Sequence, residues 1–267
     1  MSIKNHSIFL NNIKKIKLYL RLLRKTNFAG KYSIIAYLLT AILNIRQKLY
    51  KKHLVKIKVD SKYFFIRLLS GDISTLREVF LEEAYEKKIK AFGFVIDAGG
   101  HIGSFAIKAS DNATTVISFE PIKENYDILC ENIRLNKLNN VCALNVGLAD
   151  TEGLKNFDFD SSTISTSTSS FKRDKDNINM VPVTTIDLYC NKNKIKEIDF
   201  IKLDVEGAEL EVLKGSIEML KKCKPYIAAE IHSERLEKEI TKFLKSFGYT
   251  LDGMYKNSCP CPILYYK

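Results

Sequence analysis

The chain has 267 residues, of which 46% are hydrophobic and 27% charged, an ordinary composition for a globular protein. At roughly 150 residues per domain this length gives one large domain or two small ones, and the composition excludes wholesale disorder, collagen-like repeats and a multi-span membrane protein. The net charge of +11 is uneven, because residues 1–59 hold 14 lysines and arginines and no acid, whereas residues 60–267 hold 28 basic and 31 acidic groups. We therefore predict a basic N-terminal helical arm at residues 1–53 and a domain at residues 54–267.

The arm carries apolar residues at helical spacing between its cations. They are Leu10, Ile13, Ile16, Leu20 and Leu23. Residues 32–45 follow as fourteen uncharged, mostly apolar residues, fewer than the roughly 20 that span a bilayer. Two interpretations stay open: helices packed on the domain or on a second copy in a homo-oligomer, or a helix lying on an anionic membrane surface or an acidic partner. No aromatic residues are interleaved at a readable surface, so no nucleic-acid partner is expected.

The cellular location is predicted from the cysteines and the arm together. The six cysteines form neither the dense framework of a small secreted domain nor a pair of Cys-x-x-Cys motifs. Reduced cysteines in a cytoplasmic protein are the expectation. If the arm binds lipid, the protein is peripheral at the inner face of the cell membrane.

The first elements after the arm are predicted to be a hairpin and a helix. Val55, Ile57 and Val59 alternate with lysines, residues 60–62 suit a turn, and residues 63–68 return as a second strand. The run from Thr75 to Glu78 has capping-box spacing, which predicts a helix from there to about Lys90.

From Gly93 onward, short apolar strands alternate with helical patterns. Strands are predicted at 94–97, 115–119, 141–146, 198–204 and 225–230, and helices at 103–109, 122–133, between the last two strands, and 233–247, the last capped by Gly248. This order predicts an α/β fold with a doubly wound, mostly parallel sheet and helices on both faces. Such sheets bind ligands beyond the carboxyl ends of their strands. The candidate ends are Asp97, Glu120, Val146, Asp204 and Glu230.

The interval 154–186 interrupts the alternation. Residues 160–170 contain nine serines and threonines, and short strands are predicted on either side of them at 155–159 and 180–186. A solvated loop and a hydroxyl-rich lid over the pocket are both compatible with this composition.

The most informative stretch runs from Asp97 to Gly103, Asp-Ala-Gly-Gly-His-Ile-Gly. A strand enters it and a helix leaves it, and its glycines let the backbone turn sharply beside the free amides of that helix. The spacing differs from the Gly-x-Gly-x-x-Gly of dinucleotide-binding folds. Glu120 ends the next strand, where a carboxylate accepts both hydroxyls of a ribose. A carboxylate before the turn suits a cationic ligand group better than a pyrophosphate, which favours S-adenosylmethionine over NAD.

Several of these motifs together resemble the FkbM-type methyltransferase family. They are Val95–Gly103, Phe119–Pro121 with Asn125, Leu129, Asn132 and Asn136, Ile201–Glu209 with Val212–Gly215, and Pro225 with Glu230–His232. The resemblance covers roughly residues 60–250 and implies a Rossmann-like class I methyltransferase fold, S-adenosylmethionine as methyl donor, and O-methylation of sugars or other hydroxyl-bearing natural products. Family members usually have Ala-Asn where this chain has Gly100-His101. The implied cofactor-binding residues are Asp97, Gly99, His101, Gly103, Glu120, Pro121 and Asn125.

Ionisable residues that follow two strands are candidates for the chemistry. Methyl transfer to a hydroxyl needs a group that takes or stabilises a proton. Asp204 is the first candidate for base or substrate-orienting carboxylate, with His232 as its rival and Glu230 beside them. Glu206 and Glu209 are predicted to position substrate hydroxyls, or else to cap the following helix. The same set of groups also suits Mg²⁺, and the sequence leaves the need for a metal open.

The expected function is therefore O-methylation of a sugar hydroxyl on a small or lipid-linked glycan. Two alternatives remain: a non-enzymatic binding module anchored by its basic arm, and a methyltransferase acting on RNA. The acidic run after Leu203 disfavours RNA because it repels phosphate.

Overall fold

A computed structural model describes residues 17, 19–42, 54–156, 180–256 and 261–267. In chain order, the first elements are α1 (Phe28–Ile42), β1 (Leu54–Val59), β2 (Lys62–Arg67), α2 (Asp72–Phe80), β3 (Gly93–Ala98), α3 (Ser104–Ala109), β4 (Ala113–Phe119), α4 (Lys123–Leu135), β5 (Val141–Leu144), β6 (Gly147–Leu148) and β7 (Gly153–Asn156). They are followed by β8 (Met180–Thr184), α5 (Ile186–Lys192), β9 (Phe200–Leu203), α6 (Glu209–Lys214), α7 (Ile217–Cys223), β10 (Tyr226–Glu230), α8 (Glu234–Ser246), β11 (Leu251–Lys256) and β12 (Pro262–Tyr266).

A seven-stranded sheet lies at the centre, in the order β11-β12-β10-β9-β3-β4-β5. The five strands from β10 to β5 are parallel, and β12 pairs antiparallel with both β10 and β11. The doubly wound, mostly parallel α/β sheet is therefore confirmed. The two C-terminal strands extend it beyond the elements predicted from the sequence.

The core lies on both faces of this sheet. Successive residues of the central strands enter different hydrophobic clusters, since Val95 and Phe200 belong to one and Ile96 and Ile201 to the other. This is the two-residue period of a strand that is covered on both sides. Strand β9, the middle strand of the seven, is buried along its whole length.

The predicted hairpin is present as β1 and β2, but the helix after it begins and ends earlier than expected. It runs from Asp72 to Phe80, and the side chain of Thr75 bonds the carbonyl of Asp72 inside the helix instead of capping it. The chain enters the helix at Asp72 because its carboxylate accepts the backbone N–H and the guanidinium of Arg67. After Phe80 the chain leaves helical geometry, and residues 81–92 run irregularly towards β3.

Other segments differ from the sequence expectation in detail. The helix expected between β9 and β10 is two helices, α6 and α7, interrupted at Gly215, where a Cβ would lie 2.1 Å from the carbonyl oxygen of Ala149. The short strands expected around the serine-rich stretch are present as β7 and β8 in a three-stranded sheet with β6. The serine-rich stretch itself lies outside the described residues.

The described part of the arm packs on the domain. Tyr19, Leu22 and Ile34 are buried in the same cluster as Ile57 and Val59 of the hairpin. The buried face of the first helical segment therefore differs from the predicted stripe, of which Leu20 is exposed, Leu23 is partly buried and the earlier members lie outside the described residues. Among the described residues, no helix is both long enough and apolar enough to cross a bilayer.

Candidate active site

The glycine turn after β3 brings three strands together. Gly99 has a φ of 86°, and a Cβ there would lie 1.9 Å from the carbonyl oxygen of Asp204. Gly103 caps α3 with a φ of 88°, and a Cβ there would lie 2.5 Å from Leu129. Only glycine combines a left-handed backbone with approaches this close. The expected turn from strand to helix N-terminus is thus present beside the end of β9.

Glu120 holds the other side of this turn. Its carboxylate is 4% exposed and accepts the backbone N–H groups of His101 and Ile122 at 2.8 and 2.9 Å, and the side-chain amide of Asn125 at 3.3 Å. Burial raises the pKa of Glu120 to about 7. The backbone carbonyl of Pro121 accepts from Asn145 at 3.0 Å. The structure thus brings Glu120, Pro121 and Asn125 to the glycine turn, as the sequence predicted, with both carboxylate oxygens already engaged.

The ring of His101 faces a buried ion pair that the sequence did not reveal. Its Nε2 lies 3.1 Å from Nη2 of Arg67, which pairs with the fully buried Asp72 at 2.7 Å. Burial lowers the pKa of His101 to about 4, so the ring is neutral. Its Nε2 lies 3.1 Å from the Arg67 guanidinium and 3.4 Å from the Asp72 carboxylate, and the closer donor favours the tautomer with the proton on Nδ1. That Nδ1 is buried and has no hydrogen-bond partner among the described residues. A donor is therefore available at the position where the sequence predicted a hydrogen bond to a cofactor.

Lys202 joins the glycine turn after β3 to the end of β9, and no role was predicted for it from the sequence. Its ammonium lies 3.2 Å from Asp97 and 3.4 Å from Asp204, and donates to the Gly99 carbonyl at 2.6 Å. Asp97 is fully buried and also accepts from Ser118 at 2.7 Å. The sequence signal was a lone lysine inside an otherwise apolar strand, which is rare unless the charge is paired.

Asp204 and Glu230 lie at the ends of neighbouring strands and share one partner. The hydroxyl oxygen of Tyr85 is 2.9 Å from Asp204 and 2.7 Å from Glu230. Burial acts to raise the pKa of Asp204, but the Lys202 ammonium and the other partners outweigh it, so that pKa is lowered. Burial and the neighbouring Asp204 charge raise the pKa of Glu230 to about 9. At neutral pH Asp204 is ionised and Glu230 is a neutral acid.

His232 lies between two glutamates. Its Nε2 is 3.0 Å from Glu206 and its Nδ1 is 3.1 Å from Glu209. Burial acts to lower the pKa of His232, but the two glutamates outweigh it and raise that pKa to about 12. Glu209 is fully buried and accepts the backbone N–H groups of Val205 and Gly207, so it holds the turn after β9. Burial raises the pKa of Glu206, which is the more exposed of the two glutamates.

This arrangement gives a metal little support. Among the residues that the structure describes, two groups have ligand atoms within 4.8 Å of one another: Asp204, Glu206 and His232, and Glu230, His232 and Cys261. Both include His232, whose two ring nitrogens face glutamates and carry protons at neutral pH, so neither nitrogen offers a lone pair. Mg²⁺ also prefers oxygen ligands to nitrogen or sulfur. The residues as found do not fit the ion that the sequence left open.

Residues 97–251 match the Methyltransferase FkbM domain. The chain belongs to the FkbM methyltransferase family. It is 31% identical to the "Hexuronic acid methyltransferase AglP" of Haloferax volcanii, over 67% of this chain and 70% of that protein. It is 28% identical to "Methyltransferase sdnD" of Sordaria araneosa, over 52% of this chain and 66% of that protein.

A solved structure agrees with this fold. The crystal structure of "Methyltransferase FkbM" from Methylobacillus flagellatus KT aligns with a TM-score of 0.52 at 15% identity, over 96% of this chain and 59% of that chain. This FkbM-family protein thus spans less than two thirds of that structure's length. The alignment confirms the Rossmann-like methyltransferase fold that the sequence resemblance implied.

Proposed function

We propose that this protein transfers a methyl group from S-adenosylmethionine to a hydroxyl oxygen of a sugar, on a glycan or a related natural product. The observation that carries the proposal is the Asp97–Lys202–Asp204 array. Asp97 lies at the glycine turn and Asp204 at the end of the neighbouring strand, and both carboxylates contact the buried ammonium of Lys202. A cofactor site and an acceptor site then meet where methyl transfer needs them to meet.

The cofactor half is assigned to the turn and to the end of β4. Glu120 would accept the ribose hydroxyls through its remaining lone pairs. The turn formed by Gly99 and Gly103 would hold the methionine end, with the buried, Lys202-paired Asp97 directly before it. The Nδ1–H of His101 supplies the further donor. S-adenosylmethionine, when bound, supplies the electrophilic methyl group.

The acceptor half is assigned to the ends of β9 and β10. As the acceptor oxygen bonds to the methyl carbon, the bond from that carbon to sulfur would break and S-adenosylhomocysteine would leave. Asp204 takes the proton that the hydroxyl loses, because its lowered pKa keeps it ionised at neutral pH. Glu206 is 25% exposed and contacts substrate hydroxyls. His232, Glu209 and Glu230 act as positioning groups: the first two form an ion pair with 3.1 Å between Nδ1 and the carboxylate, and the third is neutral.

A sugar acceptor is favoured by charge and by a relative. The acids at the strand ends suit the hydroxyl groups of a sugar, which donate to carboxylates, and repel the phosphates of RNA. The relative from Haloferax volcanii is named for a hexuronic acid, a sugar derivative.

The first test separates the cofactor from the acceptor. Calorimetric titration with S-adenosylhomocysteine is run beside NAD⁺ on the wild type, Glu120→Ala and Asp204→Ala, with thermal melts to show that each variant is folded. We expect S-adenosylhomocysteine alone to bind, Glu120→Ala to abolish binding, and Asp204→Ala to retain it. Binding of neither ligand would favour the non-enzymatic alternative.

The acceptor is then sought by turnover with radiolabelled S-adenosylmethionine. Free sugars, lipid-linked glycans and total RNA are offered separately. Methylation of a glycan fraction that Asp204→Ala abolishes supports the proposal. Methylation of RNA alone would refute it.

The arm, assigned to residues 1–53, is proposed to hold the methyltransferase domain of residues 54–267 at the inner face of the cell membrane. Tyr32, Ile35 and Leu39 form one apolar face of α1 and are 60%, 47% and 53% exposed, within a segment that has no acid before Asp60. An apolar face among lysines and arginines complements an anionic lipid surface. A lipid-linked acceptor would then be presented at the same surface.

Vesicle co-sedimentation tests this surface on the full chain. We expect binding to phosphatidylglycerol-containing vesicles, weaker binding to pure phosphatidylcholine, and loss of binding when Tyr32, Ile35 and Leu39 are all changed to Gln. The control is Leu154→Gln, which changes a 64% exposed leucine outside the arm. Vesicle binding unchanged by the triple variant, or a dimer that this variant dissociates, would contradict the assignment and favour a homo-oligomer.

A further inference from the structure

Tyr85 lies in the irregular segment between α2 and β3, before the residues matched by the family. It is only 3% exposed, yet its hydroxyl reaches Asp204 at the end of β9 and Glu230 at the end of β10. Asp204 and Glu230 lie at the ends of adjacent parallel strands, and the Tyr85 hydroxyl bridges the two carboxyl groups.

The position of Tyr85 is fixed by packing around its ring. The ring packs edge-on against Phe105 with the centroids 5.7 Å apart, and the Lys202 ammonium lies 5.3 Å from the Tyr85 ring centroid. The neighbouring residue, Ala84, donates its N–H to the backbone carbonyl of Glu78 at 3.2 Å, and the Ala84 carbonyl accepts a hydrogen bond from the hydroxyl of Tyr265. The phenol is therefore attached to the core on several sides, although its segment has no regular secondary structure.

The two acids have one phenolic proton between them, so their protonation states decide its direction. Both face Glu78 and His232, Asp204 also faces Lys202, and the two acids face each other. Glu230 is the acid that holds a proton at neutral pH, so it donates to the phenol oxygen, and the phenol donates to ionised Asp204. This chain of hydrogen bonds orients the Asp204 carboxylate and favours its charged form.

We propose that Tyr85 is a positioning residue for methyl transfer, which orients the Asp204 carboxylate toward the acceptor by hydrogen bonding between Asp204 and Glu230. The proposal rests on the proposed role of Asp204 as the proton acceptor. This role explains why a tyrosine from outside the matched domain is buried at the ends of β9 and β10.

Tyr85→Phe tests this role, because it removes the hydroxyl and keeps the ring against Phe105 and Lys202. We expect kcat to fall about 10- to 100-fold with the KM for S-adenosylmethionine and the affinity for S-adenosylhomocysteine unchanged within about threefold. The acid limb of the pH–rate profile should move to higher pH. The matched control is Tyr255→Phe, whose hydroxyl bonds Glu82 at 3.0 Å and contacts neither Asp204 nor Glu230.

A second readout does not depend on turnover. In protein labelled with ¹³C-carboxyl aspartate, the titration midpoint of Asp204, assigned with Asp204→Asn, should rise by about one pH unit in Tyr85→Phe and stay constant in Tyr255→Phe. An unshifted midpoint, or equal activity in the two phenylalanine variants, would overturn the proposal. If the wild type methylated no acceptor, the proposed function would fail while the titration still tested the contact.

Discussion

Replacing Lys202 by Met tests how far the site depends on one buried ammonium. The Met side chain keeps most of the stem volume but supplies no donor. It would leave Asp97, which is fully buried, without its cation at 3.2 Å, and the carbonyl of Gly99 without its donor at 2.6 Å. Asp204 would lose a partner at 3.4 Å, although its side chain remains 27% exposed.

The expected loss of stability follows from the groups that Lys202→Met leaves without a partner. Removing one partner of a buried ion pair costs about 3–5 kcal/mol, since the remaining charge is buried and uncompensated. The unmatched carbonyl adds about 1 kcal/mol. We therefore expect Lys202→Met to lower the free energy of unfolding by about 4–6 kcal/mol, or the melting temperature by about 10–20 °C at this chain length.

Urea denaturation of a mutant cycle measures this cost. The cycle combines Lys202→Met with Asp97→Asn, which removes the charge that the lysine neutralises. The double variant should be about 2–4 kcal/mol more stable than the sum of the single losses predicts. Lys192→Met is the surface control, since its pair with Glu152 at 2.7 Å is exposed on both sides and should contribute below about 1 kcal/mol. A Lys202→Met loss no larger than the control, or a coupling below about 1 kcal/mol, would refute the reasoning.

Three further predictions concern the same site. Gly99→Ala places a Cβ 1.9 Å from the carbonyl oxygen of Asp204 and should lower the free energy of unfolding, measured by urea denaturation, by about 2–4 kcal/mol. The control Gly207→Ala should lower it by about 1 kcal/mol, because Gly207 also has a positive φ but a Cβ there would meet nothing within 4 Å. Equal losses in the two variants would rule out the clash. Calorimetric Kd values for S-adenosylhomocysteine should rise about tenfold per unit as pH falls below about 7, because ribose hydroxyls donate to ionised Glu120. The Kd of Glu120→Gln should not vary with pH, and an unchanged slope there would point to another group. Asp204→Asn should retain S-adenosylhomocysteine binding while kcat falls about 10²- to 10⁴-fold in the methyltransfer assay, and near-normal turnover would remove it from the role of base.

The strand–helix frame could be predicted because apolar strands and glycine turns are local signals. The turn from Asp97 to Gly103 and the carboxylates at 120, 204 and 230 all lie at strand ends, as expected. The missed groups are of a different kind. Tyr85 lies in an irregular segment, and only tertiary packing brings it to Asp204 and Glu230. Capping-box spacing at Thr75–Glu78 predicted a helix to about Lys90, but the chain leaves the helix after Phe80, and Tyr85 is buried in the irregular segment that follows.

The sequence also does not show which charged residues pair in the folded protein. Arg67 and Asp72 are five residues apart and read as ordinary charges at the end of a strand and before a helix, yet both are buried and hold the ring of His101 between them and the turn. The arm is a second example, because its apolar spacing predicts that one helix face is buried but does not determine which of two overlapping sets of residues forms that face. Tyr19 and Leu22 are buried, whereas Leu20 is exposed.

Strand register links the stability of the fold to the chemistry of the site. Asp97 and Lys202 are register partners in the parallel pair β3–β9, so their side chains project on the same face and meet as a buried ion pair. Because side chains alternate along a strand, a slip of one residue would turn the ammonium into the apolar cluster on the opposite face. Such a slip would also separate the Asp204 backbone from Gly99. The ion pair therefore favours the one register in which the turn that we assign to the cofactor and the acid that we assign to the acceptor stand next to each other.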